Sequence, residues 1–322
     1  MAKDCLLIGD IGGTNARFAL AETGAPGFHT VVELKCADFP TADDAIQHYL
    51  DETGAGSPDA ICLAAAGPVV NNHVNVTNNH WDISAEAART DFGIDAVRLL
   101  NDFEAIAYSI PFLADNDSQV IGSYKDSPLP ERRFDVAILG PGTGLGVAGL
   151  CRRGDLLVPV TGEGGHVGFA HESELQIEIL KVLRQKFSRV SAERLVAGSG
   201  LENIYAALAA IRGEQGLVLS AKQIFAERGD NTVASESVDV FFELLGQVAG
   251  DLALTLGAND GVYIAGGIAK RYPEVLSSSR FRAGFESKGR HSEIMKRIPT
   301  RLITHEQPGL LGAAYCVLEL SS

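Results

Sequence analysis

The sequence predicts an α/β protein built from alternating strands and helices. Short apolar runs typical of buried strands alternate with longer segments whose apolar residues recur at helical spacing. Three of the apolar runs end in glycine-rich turns, and ligands of open α/β sheets bind beyond the carboxyl ends of such strands. With 322 residues, the chain is long enough for about two domains of ordinary size.

The first third of the chain predicts one α/β unit. Apolar residues at 6–8 and an alternating pattern at 16–20 predict two strands joined by a tight turn. A helix is predicted over 41–52, and Ser84 is suited to cap the next helix. Further elements are strands at 31–34, 60–66 and 96–100, a helix at 103–108, and a loop rich in Asn and His at 71–81.

The remainder of the chain follows a polar, turn-rich stretch at 115–133, which we predict to be a domain boundary. Residues 135–150 then repeat the opening arrangement of strand, glycine-rich turn and strand, with Thr143 in the turn. The later elements are helices at 173–186, 201–211 and 238–256, and a buried strand at 261–265 that ends in Gly266 and Gly267.

Composition indicates a globular protein of a reducing compartment. Hydrophobic residues make up 46% of the chain, and 27 basic against 41 acidic residues give a net charge of −14. Because this field repels nucleic acid and anionic lipid, we predict no partner of either kind. The five cysteines are scattered without a CxxC pair, which favours buried thiols over disulfides or a zinc site. No leader-like or membrane-spanning apolar run is present, so a cytoplasmic location is predicted.

The turn at 10–15 has the residue types of a phosphate-binding loop. Gly12 and Gly13 allow the backbone to approach a ligand closely, and the Thr14 hydroxyl and successive N–H groups can point at phosphate oxygens. Asp10 would face the metal ion that accompanies the phosphates. An ordinary hairpin with a Gly-Gly turn is the alternative for this short pattern. A Walker A loop is excluded because no Lys-Ser/Thr pair follows the glycines.

The three glycine-rich turns together are more informative than one. The turns at 10–14, 140–146 and 266–267 could surround a single nucleotide, two of them contacting phosphates and the third leaving room for base and ribose. Three unrelated turns remain the alternative.

Asn101 and Asp102 come directly after a predicted strand and could project toward the same ligand. A carboxylate there can accept the proton of an attacking hydroxyl, but Asp102 is equally suited to cap the helix that follows. The two roles can coexist.

Several other polar residues lie in or beside glycine-rich turns. Glu163, His166 and Glu193 are suited to hydrogen-bonding a small polyol, although His166 alone is typical of a structural residue. The lone Trp81 is predicted to pack rather than to stack on a sugar, and the basic turn at 288–290 is predicted to be solvated surface.

Nine segments of the chain, in order, resemble the bacterial glucokinase family of the proteobacterial type. They are GDIGGTNARFAL, TNNHWDIS, LLNDFEAIAYSIP, GPGTGLGVA, GEGGHVGFA, VSAERLVAGSGL, DGVYIAGGIAK, FRAGFESKGR and HEQPGLLGAA. The resemblance implies the two-domain actin-like ATPase (ribonuclease H-like) fold, with a cleft between its domains. It implies a small α/β domain at 1–112 plus 306–322 and a larger α+β domain at 113–305, with the helix at 309–320 packing against residues 1–110.

The resemblance also implies a site for ATP and Mg²⁺. The cofactor-binding positions that it indicates are Gly9, Asp10, Ile11, Gly12, Gly13, Thr14, Gly140, Gly142, Thr143, Gly144, Gly266 and Gly267. Among them, Asp10 would hold Mg²⁺ through water. The substrate-binding positions are Asn101, Asp102, Glu163, His166 and Glu193, with Asp102 as the catalytic base.

The activity that the resemblance implies is glycolytic phosphorylation of D-glucose at its 6-hydroxyl by ATP, carried out in the cytoplasm by a homodimer. A kinase for another hexose, such as mannose or an N-acetylated amino sugar, is one alternative, because epimers differ by a single hydroxyl. A sugar-binding regulatory protein without catalysis is another. The related repressor and kinase group carries a cysteine cluster for zinc that this chain lacks, which disfavours a zinc site and a repressor role.

Overall fold

A computed structural model describes residues 5–123, 128–214 and 218–321. The chain forms two compact units. Unit 1 comprises Met1–Asp117, Pro159–Gly162 and His305–Ser322, and unit 2 comprises Ser118–Val158 and Glu163–Thr304. Part of the predicted boundary, residues 124–127, lies outside the described residues, as do residues 1–4 and 322 at the predicted domain ends.

The strands and helices of the described residues are numbered in chain order. The strands are β1 (Leu6–Ile11), β2 (Asn15–Ala21), β3 (Phe28–Lys35), β4 (Ala60–Ala65), β5 (His73–Asn75), β6 (Asp82–Ser84), β7 (Val97–Asn101), β8 (Ser118–Val120), β9 (Arg133–Pro141), β10 (Leu145–Arg153), β11 (Leu156–Gly162), β12 (Gly261–Ile264) and β13 (Thr300–Ile303). The α-helices are α1 (Ala42–Thr53), α2 (Ala85–Phe92), α3 (Asp102–Ser109), α4 (Glu174–Lys186), α5 (Gly198–Ile211), α6 (Ala221–Glu227), α7 (Thr232–Leu256), α8 (Gly267–Arg271), α9 (Pro273–Ser278), α10 (Phe281–Glu286), α11 (Ser292–Met295) and α12 (Pro308–Ser321).

Unit 1 contains a five-stranded sheet in the order β3-β2-β1-β4-β7. β1 is antiparallel to β2 but parallel to β4, and β4 is parallel to β7. The register pairs Ile11 with Ala65 and Ala65 with Asn101, so these three parallel strands end side by side. The residues that follow them are therefore carried to one edge of the sheet.

The helices of unit 1 form where a capping residue precedes a segment with apolar residues at helical spacing. Thr41 and Asp44 make a reciprocal capping box at the start of α1, whose apolar residues are buried. Ser84 accepts a hydrogen bond from the Ala87 N–H and caps α2, as predicted. The helix near the chain end, α12, packs against α3, β1 and β4, as the resemblance implied. A Cβ on Gly312 would overlap the Ala105 carbonyl, so the two helices approach at backbone distance.

Unit 2 contains a six-stranded sheet in the order β11-β10-β9-β12-β13-β8. β9 and β10 form an antiparallel hairpin, while β12 lies parallel to both β9 and β13. The long helix α7 buries Phe241 and Phe242 completely and packs against α5 and α10. Glycines let α7 and α10 approach closely, because a Cβ on Gly284 would overlap the Glu243 carbonyl.

The structure corrects several predictions. The first strand continues to Ile11, so Asp10 belongs to the strand rather than to the turn. The predicted loop at 71–81 contains β5, which pairs with β6, and the prediction lacked β8 and β13 altogether. The basic turn at 288–290 is not uniformly solvated: the Lys288 side chain is only 5% exposed and its Nζ lies 2.8 Å from the Asp251 carboxylate.

In the chain segments that the structure describes, none of the helices combines the length and the apolar character needed to cross a membrane.

Candidate active site

The first glycine-rich turn joins β1 to β2 and is held in a tight conformation. The Gly12 N–H donates to the Asn15 carbonyl at 2.9 Å. A Cβ on Gly13 would lie 3.0 Å from the Thr77 carbonyl oxygen, so glycine allows the turn to pack against the residues after β5. The exposed Thr14 lies beside a cavity of about 420 Å³ whose lining includes Gly13, Cys36, Asn78 and Asn79. Backbone N–H groups and a hydroxyl at an open turn fit phosphate oxygens.

Asp10 is placed beside the amino end of α12. A Cβ on Gly309 would lie 3.1 Å from the Asp10 carboxylate, so glycine makes room for it. Burial raises the pKa of Asp10, and the neighbouring Arg17 opposes that rise. A partly buried carboxylate gains from a nearby cation. Mg²⁺ prefers oxygen donors and retains several of its waters. The position therefore fits a metal ion held through water.

Asn101 and Asp102 stand at the junction of β7 and α3. Asn101 is the helix cap: its Oδ1 accepts from the Phe103 N–H at 2.9 Å, and its Nδ2 donates to the Gly67 carbonyl at 2.9 Å. Asp102 is the first residue of the helix, and its Oδ1 also accepts from the Phe103 N–H at 2.9 Å. The capping role weighed for Asp102 thus belongs chiefly to Asn101, and the contact with Gly67 was not predicted.

These residues of unit 1 share one edge of the sheet. Because Ile11, Ala65 and Asn101 are in register, the first turn and Asp102 follow strands that are two positions apart. Two strand spacings amount to about 10 Å. Gly9 and Ile11, which were predicted to bind the cofactor, lie within β1 itself, where a Cβ on Gly9 would lie 2.8 Å from the Leu63 side chain.

The second glycine-rich turn, in unit 2, joins β9 to β10. Pro141 pairs with Leu145, which leaves Gly142, Thr143 and Gly144 as the connecting residues. The Gly142 N–H donates to the Gly144 carbonyl at 2.8 Å, and the Gly142 carbonyl accepts from the N–H of Gly198 at 3.0 Å.

The third turn packs directly against the end of β9. Gly266 has a φ of +85°, and a Cβ on Gly140 would lie 2.6 Å from the backbone carbon of Ala265. Glycine is required at both positions for this approach. The structure therefore brings the predicted residues at 140–144 and 266–267 together within unit 2.

Glu193 supports the second turn. It lies on a short 3-10 helix, Ala192–Arg194, and its Oε2 accepts from the Leu145 N–H at 2.9 Å. A Cβ on Gly144 would lie 2.5 Å from the same oxygen, so glycine makes room for the carboxylate. This contact between a predicted sugar-binding residue and a predicted phosphate turn was not foreseen from the sequence.

Glu163 directly precedes another short 3-10 helix, Gly164–His166, and His166 is its last residue; both are exposed. The Arg189 guanidinium donates to the His166 carbonyl at 2.6 Å. The segment that follows joins the segment of Glu193, because Gly168 and Ser191 form a bridge and the Ala192 N–H donates to the Val167 carbonyl. Three predicted polyol contacts thus lie on two connected segments of unit 2.

Two other expectations concern residues outside these turns. Trp81 is 2% exposed and its Nε1 donates to the Phe39 carbonyl at 3.1 Å, so it packs, as predicted. Within 5–123, 128–214 and 218–321, no group of three or more His, Cys, Asp or Glu side chains is arranged to hold a metal ion. A metal ion bound here would take other ligands, such as phosphate oxygens, besides Asp10.

Comparison with known proteins relates this fold to sugar kinases. A glucokinase from an Antarctic psychrotroph superposes with a TM-score of 0.88 and 35% identity, covering 98% of this chain and 99% of that one. A glucokinase from Balamuthia mandrillaris, solved with glucose, gives a TM-score of 0.77 at 22% identity and covers 98% and 93% of the two chains. The molecule therefore has the actin-like ATPase fold of the sugar kinases.

Sequence comparison gives the family. Residues 7–320 match the glucokinase family model. A glucokinase of Caulobacter sp. (strain K31) is 45% identical over 312 residues, covering 96% of this chain and 93% of that protein. One from Marinobacter nauticus is 41% identical over 316 residues, with 97% of each protein covered. The chain belongs to the glucokinase family, and it is accordingly a kinase, an enzyme that transfers phosphoryl groups.

Proposed function

We propose that this chain transfers the terminal phosphoryl group of ATP to the 6-hydroxyl of D-glucose, forming glucose 6-phosphate and ADP. The observation that carries the proposal is the placement of Asn101 and Asp102 beside a glycine turn on one sheet edge, in a chain of the glucokinase family. A carboxylate near a phosphate-binding turn is the arrangement that phosphoryl transfer to a hydroxyl requires.

Asp102 acts as the general base. Its Oδ1 is positioned by the Phe103 N–H, and the carboxylate accepts the proton of the sugar hydroxyl as that oxygen attacks phosphorus. Asn101, capping α3 and bonded to the Gly67 carbonyl, fixes the strand-to-helix junction that orients Asp102. A positioned base contributes on the order of 10²- to 10⁴-fold to the rate.

The glycine turns hold the nucleotide. N–H groups of Gly13 and Thr14, and those of Thr143 and Gly144 in the second turn, bind phosphate oxygens. The turn at 266–267 borders the adenosine. Asp10 would hold Mg²⁺ through water, and the ion would supply positive charge that neutralises the transferred group.

The sugar is bound through its hydroxyl groups. Asn101, Glu163, His166 and Glu193 supply hydrogen-bond donors and acceptors for them. The short segments that carry Glu163 and Glu193 are linked by the bridge between Gly168 and Ser191, which supports a shared role in binding. We also propose that the enzyme works in the cytoplasm as a homodimer, as the family resemblance implies.

The test is a coupled assay of ADP release with ATP and Mg²⁺, run in parallel with glucose, mannose, fructose, N-acetylglucosamine and no sugar. Release that depends on glucose supports the proposal. Faster turnover with another hexose would identify that hexose as the substrate and would leave the proposed phosphoryl transfer unchanged. No release with any sugar would contradict the catalytic proposal and favour a sugar-binding regulatory role.

A further inference from the structure

The carbonyl of Gly12 is held by two side chains from distant parts of unit 1. The Asn79 Nδ2 donates to it at 3.1 Å, and the Cys36 thiol points to it at 3.7 Å. The Gly12 N–H is engaged with the Asn15 carbonyl, so both polar groups of this residue have partners. The first turn is thus fixed from outside as well as by its own hydrogen bond.

Fixing this carbonyl also fixes the next N–H. The peptide between Gly12 and Gly13 is planar and trans, so its C=O and N–H point in opposite directions. With the Gly12 oxygen directed at Asn79, the Gly13 N–H is directed away from it, and it donates to no group among residues 5–123, 128–214 and 218–321. Without the contact, the two successive glycines would leave the orientation of this peptide less restricted.

The Asn79 side chain is itself oriented by a second hydrogen bond. Its Oδ1 accepts from the Trp81 N–H at 3.1 Å, and Trp81 is anchored by its own bond to the Phe39 carbonyl. If the Asn79 amide were rotated by 180°, its NH₂ group would face the Trp81 N–H, and its oxygen would face the Gly12 oxygen. Only the observed orientation therefore forms a hydrogen bond with both neighbours. The donor therefore faces Gly12 before any ligand arrives.

We propose that Asn79, assisted by Cys36, is a positioning residue for phosphate binding: it holds the Gly12–Gly13 peptide so that the Gly13 N–H is presented to ATP. This inference rests on the proposed function. It assigns to the segment after β5 a part in nucleotide binding, although its side chains need not touch the nucleotide. Preorganised N–H groups bind an anion without the cost of ordering the turn.

The test uses the isosteric variant Asn79→Asp in the full-length enzyme. Aspartate keeps an acceptor for the Trp81 N–H but cannot donate to the Gly12 oxygen. The matched control is Asn78→Asp, which places the same charge on the same cavity at a residue whose φ of +58° aspartate tolerates. Comparison with this control removes the effect of added negative charge on ATP binding.

We expect Asn79→Asp to raise the KM for ATP about 10- to 100-fold relative to Asn78→Asp, the cost of an unsatisfied polar group. The Kd for glucose, measured without nucleotide, should stay within about twofold, because the sugar does not use this turn. A purely structural role would change both substrates alike and lower Tm. Equal KM values for ATP in the two variants would overturn the inference.

A second pair of variants tests whether the Gly12 carbonyl must be held for ATP binding if Asn79→Asp does not fold. Cys36→Ala removes the other donor to Gly12, whereas Cys36→Ser keeps a donor at nearly the same place. We expect a loss of about two- to fivefold in kcat/KM for ATP in the alanine variant and recovery in the serine variant. Identical values for alanine and serine would contradict the inference.

The outcomes separate this inference from the proposed function. If the unmodified enzyme consumes no ATP with any sugar, the proposed function fails, and calorimetric titration of Asn79→Asp and Asn78→Asp with MgATP still tests the turn. If the unmodified enzyme is active and the two variants bind MgATP equally, only the inference fails.

Discussion

Asp102 can be replaced by asparagine with little change to the junction that holds it. The amide oxygen of the substituted side chain would still accept from the Phe103 N–H, and Asn101 would still cap α3. The negative charge and the ability to take a proton are lost. We expect Asp102→Asn to lower kcat by about 10²- to 10⁴-fold while the KM for glucose changes by only a few-fold.

Steady-state kinetics with glucose and ATP, together with Tm, measure the effect of Asp102→Asn. A kcat close to that of the unmodified enzyme would show that Asp102 is not the general base. A loss of kcat accompanied by a large fall in Tm would instead indicate that the carboxylate is needed for folding.

Different substitutions separate the hydrogen bond between Glu193 and Leu145 from the proposed role of Glu193 in sugar binding. Glu193→Gln keeps an oxygen for the Leu145 N–H, whereas Glu193→Ala leaves that N–H unpaired. We expect the glutamine variant to keep its Tm but to show a raised KM for glucose, because a charged acceptor for a sugar hydroxyl is lost. The alanine variant should also lose about 1–3 kcal/mol of unfolding free energy. Equal Tm values in the two variants would exclude the structural role.

At single residues, the sequence indicated candidate chemical groups but not their hydrogen-bond partners. Asp102 was recognisable because a carboxylate directly follows an apolar strand. The Leu145 N–H is 48 residues from Glu193, and nothing local indicates that pairing. Lys288 was predicted to be surface because its turn is basic, yet its partners Glu172 and Asp251 come from distant parts of the sequence. Long-range pairing of this kind has no periodic signal in one sequence.

At the scale of elements, the contact between α12 and α3 depends on a missing side chain. A Cβ on Gly312 would overlap the Ala105 carbonyl, so the backbones would have to separate. We expect Gly312→Ala to lower the unfolding free energy by about 2 kcal/mol or more, despite the better helix propensity of alanine. The exposed Glu319→Ala on the same helix is the control, and urea denaturation is the measurement. Equal stability of the two variants would show that the helices can move apart at little cost.

Elements with a clear pattern were predicted, whereas the three-residue strands were not, and neither was the seven-residue β11. The long helices α4 and α7 and the hairpins β1–β2 and β9–β10 have strong apolar periodicity or buried strands joined by glycine turns. β5, β6 and β8 have three residues each, too few for an alternation to be recognised. These short strands form because the tertiary structure places a partner strand beside each of them.

For the whole molecule, the free energy of unfolding should depend on Asp43. Burial, with Asp91 and Asp44 nearby, raises the pKa of Asp43 to about 6, and its Oδ1 has no hydrogen-bond partner among the described residues. The folded state then binds the proton more tightly than the unfolded state. Stability from this group is present below the unfolded pKa of about 4 and is lost as pH rises to about 6.

The variant Asp43→Asn removes this titration. At pH 8 we expect it to be more stable than the unmodified protein by on the order of 1 kcal/mol, allowing for solvent screening of a half-buried group. At pH 4 the two proteins should be nearly equal. Thermal denaturation at both pH values measures the difference, and a stabilisation that is the same at pH 4 and pH 8 would rule out Asp43 as the titrating group.

The return of α12 to unit 1 has a consequence for synthesis on the ribosome. The surfaces of α3, β1 and β4 that α12 covers are made early, but α12 emerges only after residues 118–304 have been translated. During that interval these surfaces remain uncovered, so the nascent chain presents apolar surface of the kind that chaperones bind. Unit 2, whose sequence is complete at Thr304, can fold before the last helix of unit 1 has been synthesised.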